Sequence, residues 1–170
     1  MRSIKILALA ALIFMPLSAK ACDVRPYAKS YIESINNVFG GTKPKLIVEK
    51  GNNEEIAAFY DGTAIHIYKR DYKGNCADEI PYLKSVIAHE YAHHAAAKLR
   101  PFTKLRGEDL AYLAEHAIGD AILGDDVEYD NDEDLDHPTA YIALKNMILQ
   151  KQIIRNVQTN SQTTYFKYRR

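Results

Sequence analysis

Three residues near the middle of the chain have the types and the spacing for metal-dependent chemistry. His89 and His93 are four residues apart in the segment "IAHEYAHH", and Glu90 directly follows the first histidine. On a helix of about 3.6 residues per turn, residues four apart project from one face, so both imidazoles can reach the same ion. Glu90 projects to the side of that face, where its carboxylate can exchange protons without binding the ion.

The pattern H-E-x-x-H is typical of zinc peptidases. Neutral imidazole is a favoured ligand of Zn²⁺, and the ion activates water for attack on a carbonyl carbon. In this interpretation the cofactor is Zn²⁺, His89 and His93 are ligands, and Glu90 is the general base that passes a proton from the attacking water to the leaving amine. The alternative is a helix that carries these histidines by chance.

Three segments between about residues 57 and 147 resemble the zincin metallopeptidases, more narrowly the small gluzincin-like ones. "LKSVIAHEYAHH" carries the motif, "EDLAYLAEHAIGDAIL" is similar to their E-x-x-A-D helix, and "DHPTAYIALKNM" is similar to their His-Pro segment. Two departures are the histidine in "HAIGD", where the family has glutamate, and the missing arginine after His-Pro. The resemblance implies a zincin-like fold, with the motif on a central helix, and peptide hydrolysis.

The resemblance also implies a third zinc ligand on the next helix, and the candidates are His116 and Glu115. Adjacent helical residues point about 100° apart, so the two side chains cannot easily face one ion. Asp120 is four residues after His116, where it can accept a hydrogen bond from a liganding imidazole. This spacing favours His116 and a site of three histidines with water in the fourth position. Glu115 is the alternative, because the family ligand is a glutamate.

Three other histidines have less specific surroundings. His137 precedes Pro138, and we predict that it stabilises the oxyanion formed during attack. The alternative is that the His-Pro pair marks the start of a helix, with the proline in the first turn. His94 points about 100° away from His93 and is predicted to lie on the surface. His66 alternates with two isoleucines on a strand and is predicted to face solvent.

The N-terminal segment has the pattern of a secretory signal. Arg2 and Lys5 precede the apolar run "ILALAALIFMPLSA", and "AKA" then supplies small residues for signal peptidase. We predict a signal peptide over residues 1–21 and a single domain over residues 22–170. The mature protein is then periplasmic or secreted, without stable membrane insertion.

The chain contains two cysteines, Cys22 and Cys76. Disulfides form and persist in compartments that exported proteins enter, so we predict that the two cysteines are bonded. The alternatives are two free thiols or a lipid on Cys22, which would be the first mature residue.

The charge pattern argues against nucleic acid as a partner. Residues 1–21 contain three of the 22 basic residues and none of the 22 acidic ones, which leaves 19 against 22 and a net charge of −3. Eight acids lie in "DDVEYDNDEDLD", residues 125–136, and no acid follows. We interpret this segment as a solvated loop and the remainder as a weakly basic tail.

The periodicity of the apolar residues predicts an α+β fold. A helix over Arg25–Phe39 ends at two glycines, and "KLIVE" and "IAAFYDGTAIHIYK" read as strands of a small antiparallel sheet, with a hairpin turn at Asp61-Gly62. Three more helices are predicted over residues 80–99, 108–123 and 139–155, packed with the first on one face of the sheet. A substrate peptide could pair along "TAIHIYK".

These observations predict an exported zinc metallopeptidase that acts on a peptide or protein substrate. One alternative is a zincin-fold binding or inhibitory module that retains zinc without turnover. Another is a disulfide-linked helical protein without metal. A retained Glu90 favours chemistry, because purely structural zinc sites are usually closed by four protein ligands.

Overall fold

The computed structural model describes residues 21–50, 56–69, 72–124 and 138–167, with side chains described up to residue 156. Within these ranges the chain forms four α-helices and a three-stranded sheet, which confirms the α+β class. In chain order the elements are α1 Arg25–Phe39, β1 Lys45–Glu49, β2 Ala58–Tyr60, β3 Ala64–Tyr68, α2 Cys76–Leu99, α3 Gly107–Ile118 and α4 Pro138–Lys167. A 3₁₀ turn, Arg100–Phe102, follows α2, and a π-helical turn, Gly119–Leu123, follows α3.

Helix α1 has the bounds that the sequence predicts. A proline stands in its first turn, where the missing N–H leaves no hydrogen bond unmade. The helix ends because Gly40 has a φ of 65°, a backbone conformation that glycine adopts readily. The Gly40 N–H donates to the Asn36 carbonyl at 2.7 Å, which satisfies one of the last carbonyls of the helix.

Helix α2 begins at Cys76, four residues before the predicted start. The Asn75 side chain accepts hydrogen bonds from the main-chain N–H groups of Ala77 at 2.9 Å and Asp78 at 3.2 Å. These bonds satisfy two of the donors that a helix start leaves unpaired. Pro81, which a start at residue 80 would place in the first turn, therefore lies inside the helix, and the predicted start was wrong.

The two C-terminal helices also differ from their predicted bounds. After α3 ends at Ile118, the Gly124 N–H donates to the Gly119 carbonyl at 3.1 Å, the five-residue spacing of a π-helical turn. Helix α4 begins at Pro138 and continues to Lys167, so the described part of the basic tail is helical.

The sheet has the strand order β1-β3-β2. Strands β2 and β3 form the predicted antiparallel hairpin, and the Asp61 carboxylate closes its turn by accepting the Thr63 main-chain N–H at 2.7 Å. Strand β1 pairs parallel to β3, so the prediction of a purely antiparallel sheet was wrong. The chain passes from β1 to the opposite edge of the sheet before the hairpin returns it, and this crossover makes β1 and β3 run in the same direction.

Among the described residues, β1 and β2 are the edge strands of the sheet, and β2 is the one whose residues line the cleft described below. Strand β3 is paired on both sides, so the prediction that a peptide pairs along it was wrong. On β2 the Ala57 carbonyl accepts the Tyr68 N–H at 3.0 Å, and main-chain groups alternate in direction along an antiparallel strand. The main-chain groups of Ala58 and Tyr60 therefore face away from the sheet.

The core lies between the helices and one face of the sheet. Helix α2 contacts α1, α3 and both strands of the hairpin, so several elements fix its position. The Tyr91 ring is fully buried, and its hydroxyl donates to the Asn36 side chain on α1 at 2.8 Å. Other fully buried side chains come from every helix and from β3: Ile35, Ile65, Ile67, Leu83, Ile87, Leu99, Leu110, Ile118, Leu144 and Ile148.

Cys22 and Cys76 form the predicted disulfide, with their Cα atoms 4.8 Å apart. Both sulfur atoms are used in this bond, so neither a free thiol nor a lipidated Cys22 describes this structure. In the described part of the chain, no helix combines the length and the apolar character needed to cross a membrane. Residues 1–20 of the predicted signal peptide and the acidic segment 125–136 lie outside the described residues.

Candidate metal centre

A cleft of about 710 Å³ lies between α2, α3 and β2. All three residues of the H-E-x-x-H motif line it. From α2 the lining side chains are Tyr82, Ser85, Val86, His89, Glu90 and His93; from α3 they are Glu108, Tyr112 and Glu115; and the remainder are Ile56, Ala57, Ala58, Phe59 and Tyr60. Two helices and the free edge of the sheet thus converge on the motif.

The two motif histidines share a carboxylate partner on α3. His89 Nε2 lies 3.1 Å from Glu108 Oε2, and His93 Nε2 lies 3.5 Å from Glu108 Oε1. The imidazole rings are 5.1 Å apart between centroids, as expected for residues one helical turn apart. His89, His93 and Glu108 each offer a ligand atom, and these three atoms all lie within 4.8 Å of one another.

The spacing of these atoms is short enough for one metal ion to reach all three residues. Two ligands about 2.1 Å from a tetrahedral ion lie roughly 3.4 Å apart, and the two Glu108 oxygens lie 3.1 Å and 3.5 Å from the histidine nitrogens. Two imidazoles and one carboxylate leave a fourth position open, as catalytic zinc sites do. The Glu108 side chain is 67% exposed whereas His89 is 15% exposed, so the cleft is open to solvent on the α3 side.

His89 is held by a second carboxylate on its other ring nitrogen. Glu115 Oε2 lies 3.0 Å from His89 Nδ1, and the Glu115 side chain is only 6% exposed. A carboxylate can accept the proton of Nδ1, and in the neutral ring the Nε2 lone pair is then directed toward the cleft. Burial lowers the pKa of His89, but the hydrogen bond and charge of Glu115 outweigh it and raise the pKa above its usual value.

Glu90 is a buried carboxyl beside this group. The residue is 8% exposed, and burial raises its pKa to about 7, against the opposing effect of the His89 charge. Its carboxylate accepts the main-chain N–H of Tyr60, one of the β2 groups that face away from the sheet. A carboxyl with a pKa near neutrality can both take up and release a proton at physiological pH.

The structure separates the two candidates for the third ligand. Glu115 lines the cleft, but it faces Nδ1 of His89 rather than the Nε2 atoms. His116 is half-buried and is not among the residues that line the cleft. Adjacent helical residues point about 100° apart, so a helix that turns Glu115 toward His89 directs His116 elsewhere.

Asp120, predicted to orient a liganding His116, contacts α4. Its carboxylate accepts a hydrogen bond from Lys145 Nζ at 3.0 Å and another from the Tyr141 hydroxyl. It therefore links the end of α3 to α4. His137 lies outside the described residues, and its catalytic role stays a prediction.

Glu108 is the functional candidate that the sequence reasoning missed. It lies seven residues before Glu115 and four before Tyr112, so all three side chains share one face of α3. The Tyr112 ring lies 4.7 Å from that of His89 between centroids. A signal was available in "EDLA", where a glutamate is followed three residues later by alanine, the first part of the helix pattern to which this segment was compared.

No family model, curated protein or solved structure matches the chain. The interpretation of the cleft therefore depends on its residues and their geometry.

Proposed function

We propose that this chain is an exported, zincin-like metallopeptidase that binds Zn²⁺ with His89, His93 and Glu108 and uses Glu90 as its general base. The observation that supports this most strongly is the convergence of three ligand atoms within 4.8 Å beside a buried carboxyl group. The disulfide supports export, because such bonds persist in oxidising compartments.

The residues around the ion would divide the work as follows. His89 and His93 bind through Nε2, and Glu108 binds through its carboxylate, which replaces the sequence-based choice of His116. Glu115 holds the His89 ring through Nδ1 and keeps Nε2 directed at the ion. When bound, Zn²⁺ would supply Lewis-acid activation of water and of the scissile carbonyl.

Glu90 would carry the proton during hydrolysis. Its carboxylate accepts a proton from the attacking water and delivers it to the amine of the leaving group. Burial raises the pKa of this carboxyl above its usual range, which strengthens it as a proton acceptor. The Tyr60 N–H holds the carboxylate at the cleft side of α2.

The free edge of β2 indicates how a peptide would bind. The main-chain N–H and carbonyl of Ala58 face the cleft, whereas the Tyr60 N–H is already bonded to Glu90. An extended peptide could add to this edge by pairing with Ala58, a mode that uses main-chain groups and does not require one sequence. The substrate class is therefore an extended peptide or an unstructured protein segment.

A matched pair of glutamate substitutions tests the proposal. Glu90→Gln preserves the size of the side chain but cannot accept the proton, and Glu33→Gln makes the same change at a more exposed position on α1. In purified protein spanning residues 22–170, we expect about one zinc ion per chain in the wild type and in both variants. Hydrolysis of an unstructured protein should fall by at least about 10²-fold in Glu90→Gln and should match the wild type in Glu33→Gln.

Two results would contradict the mechanism. Equal hydrolysis in Glu90→Gln and wild type would refute the assignment of Glu90 as general base. Wild-type protein that binds no zinc would refute the metal site. Stoichiometric zinc without any wild-type hydrolysis would favour the alternative, a binding or inhibitory module that shares the metal site and differs in turnover.

A further inference from the structure

His94, the residue after the second motif histidine, connects three parts of the molecule. Its Nδ1 lies 2.9 Å from the Tyr60 hydroxyl at the end of β2. Its Nε2–H donates to the Thr42 carbonyl, in the loop between α1 and β1, at 2.8 Å. The edge of the ring packs against Tyr60 and Tyr91, with centroids 5.4 Å and 5.3 Å away. The prediction of a surface histidine did not anticipate these contacts.

Tyr60 contacts α2 at two points one helical turn apart. Its hydroxyl meets His94, and its main-chain N–H donates to the Glu90 carboxylate. Glu90 and His94 are four residues apart, so they lie on the same face of the helix. Two contacts of one residue with one helix face restrict both the distance and the rotation of the strand end relative to α2.

The end of β2 also has local contacts within the hairpin, because the Tyr60 hydroxyl lies 2.5 Å from the Gly62 carbonyl. The strand has three residues and pairs with β3 on one side only. Gly62 in the turn that follows has a φ of 99°, and a Cβ added there would meet nothing within 4 Å, so the space beside this residue is open. The contacts with α2 are the ones that join this strand end to the helix that bears Glu90.

We propose that Tyr60 and His94 form a latch that fixes the end of β2 on α2 and keeps the Glu90 carboxylate directed at the cleft. The role as positioning residues rests on the proposed function, because Glu90 is the group that they position. The latch itself concerns only how firmly the Tyr60 main-chain N–H is held against α2. It can be tested without catalysis.

The decisive variant is Tyr60→Phe, which removes one hydroxyl oxygen and keeps the ring. Tyr27→Phe on α1 makes the same chemical change at a partly exposed position that does not line the cleft. His94→Ala removes the other half of the latch. His94→Gln keeps a side chain that can still bond both Tyr60 and the Thr42 carbonyl.

Each protein is measured in three ways: zinc content, kcat and KM on an unstructured protein substrate, and hydrogen exchange of the Tyr60 main-chain N–H by NMR. In Tyr60→Phe and His94→Ala we expect full zinc content, faster exchange of the amide at position 60 and a kcat lowered by about tenfold or more, with little change in KM. His94→Gln should restore part of both losses. Tyr27→Phe should match the wild type.

The outcomes separate the latch from the proposed function. Unchanged exchange at position 60 in both Tyr60→Phe and His94→Ala overturns the latch, even if the wild type hydrolyses peptides. Zinc loss in His94→Ala, with exchange and kcat retained in Tyr60→Phe, also overturns it and assigns His94 to the metal site. If the wild type shows no hydrolysis, the proposed function fails while the exchange measurement still decides the latch.

Discussion

Two histidines of this molecule contact a carboxylate with each ring nitrogen, yet they form different kinds of site. On α2, His89 Nδ1 meets Glu115 at 3.0 Å and His89 Nε2 meets Glu108 at 3.1 Å. His93, one helical turn later, directs its own Nε2 at the same Glu108 carboxylate. Two nitrogen donors and one carboxylate therefore converge on a common point.

On β3, His66 has equivalent partners in a different arrangement. Its Nδ1 lies 2.6 Å from Glu49 on β1, and its Nε2 lies 3.0 Å from Asp61 in the hairpin turn. The ring stacks on Phe59 with centroids 4.3 Å apart. The two carboxylates approach opposite nitrogens, so they hold the imidazole between them and do not converge.

The difference lies in the secondary structure that carries each histidine. Helical spacing places a second imidazole, His93, on the same face as His89 one turn away, whereas the neighbours of His66 on its face of the strand are Ala64 and Tyr68. The helix pair thus concentrates ligands, and the strand histidine ties β1 to the hairpin turn. A histidine between two carboxylates indicates a metal site only where a further donor converges with them.

The largest expected effect follows from removing either of the two α2 histidines proposed as metal ligands. His89→Ala and His93→Ala should each abolish stoichiometric zinc binding and, with it, detectable hydrolysis, because two remaining ligands do not hold the ion. His66→Ala, the matched change on the sheet, should retain one zinc ion per chain. Metal analysis after dialysis measures the difference. Undiminished zinc in His89→Ala would refute the centre.

Smaller changes in zinc affinity should show which residue of α3 binds the ion. Glu108→Ala should weaken zinc affinity most, because it removes a ligand. Glu115→Ala should weaken the affinity by about 10–100-fold, the usual consequence of losing a carboxylate that orients a liganding histidine. His116→Ala should leave affinity unchanged. Competition with a zinc chelator ranks the three variants, and release of the metal by His116→Ala alone would restore the sequence-based choice.

The smallest expected effect concerns the stability that the sheet histidine contributes. Partial burial lowers the pKa of His66, but its bonds to Glu49 and Asp61 outweigh burial, so its pKa is raised in the folded state. A raised folded pKa stabilises the protein fully below the unfolded value of about 6.5, and the contribution disappears as pH rises through the folded value. The difference in unfolding free energy between wild type and His66→Gln should therefore be larger at about pH 5.5 than at about pH 8.5.

Urea unfolding with a metal chelator present measures this difference at each pH. Titration of the cleft histidines occurs in both proteins and cancels in the comparison. The chosen interval also avoids the acid range in which Asp61 contributes, because hydrogen bonds from Ala64 and His66 lower the pKa of that carboxyl. A difference that is constant, or that grows toward high pH, would contradict the assignment.

Local signals explain how much of the fold the sequence predicts. The end of α1 at Gly40 and the turn at Asp61 depend on a few adjacent residues, and both predictions were confirmed. The parallel pairing of β1 with β3 depends on residues about 19 apart, and the apolar pattern of a short strand does not record its direction. The predicted start of α2 at residue 80 was wrong, because the Asn75 side chain caps a helix that begins at Cys76.

The candidate site likewise has one part that local spacing predicts and one part that depends on how distant segments pack. His89, Glu90 and His93 line one cleft because helical periodicity alone puts them together. The choice of partner on α3 depends on how that helix is rotated against α2, and its own periodicity leaves this rotation open. The structure turns Glu108 and Glu115 toward α2, an arrangement that only the packing of the two helices defines.

The disulfide gives the cleft a thermodynamic dependence on oxidation. Cys22 and Cys76 are 54 residues apart, and the closed loop contains α1 and all three described strands. Closing a loop of this length in the unfolded chain stabilises the native state by about 4 kcal/mol in the chain-entropy account. That is a large share of the roughly 5–15 kcal/mol by which domains are stable. Because Cys76 is the first residue of the helix that bears both histidines, a reduced chain would populate the formed cleft less than the oxidised chain does.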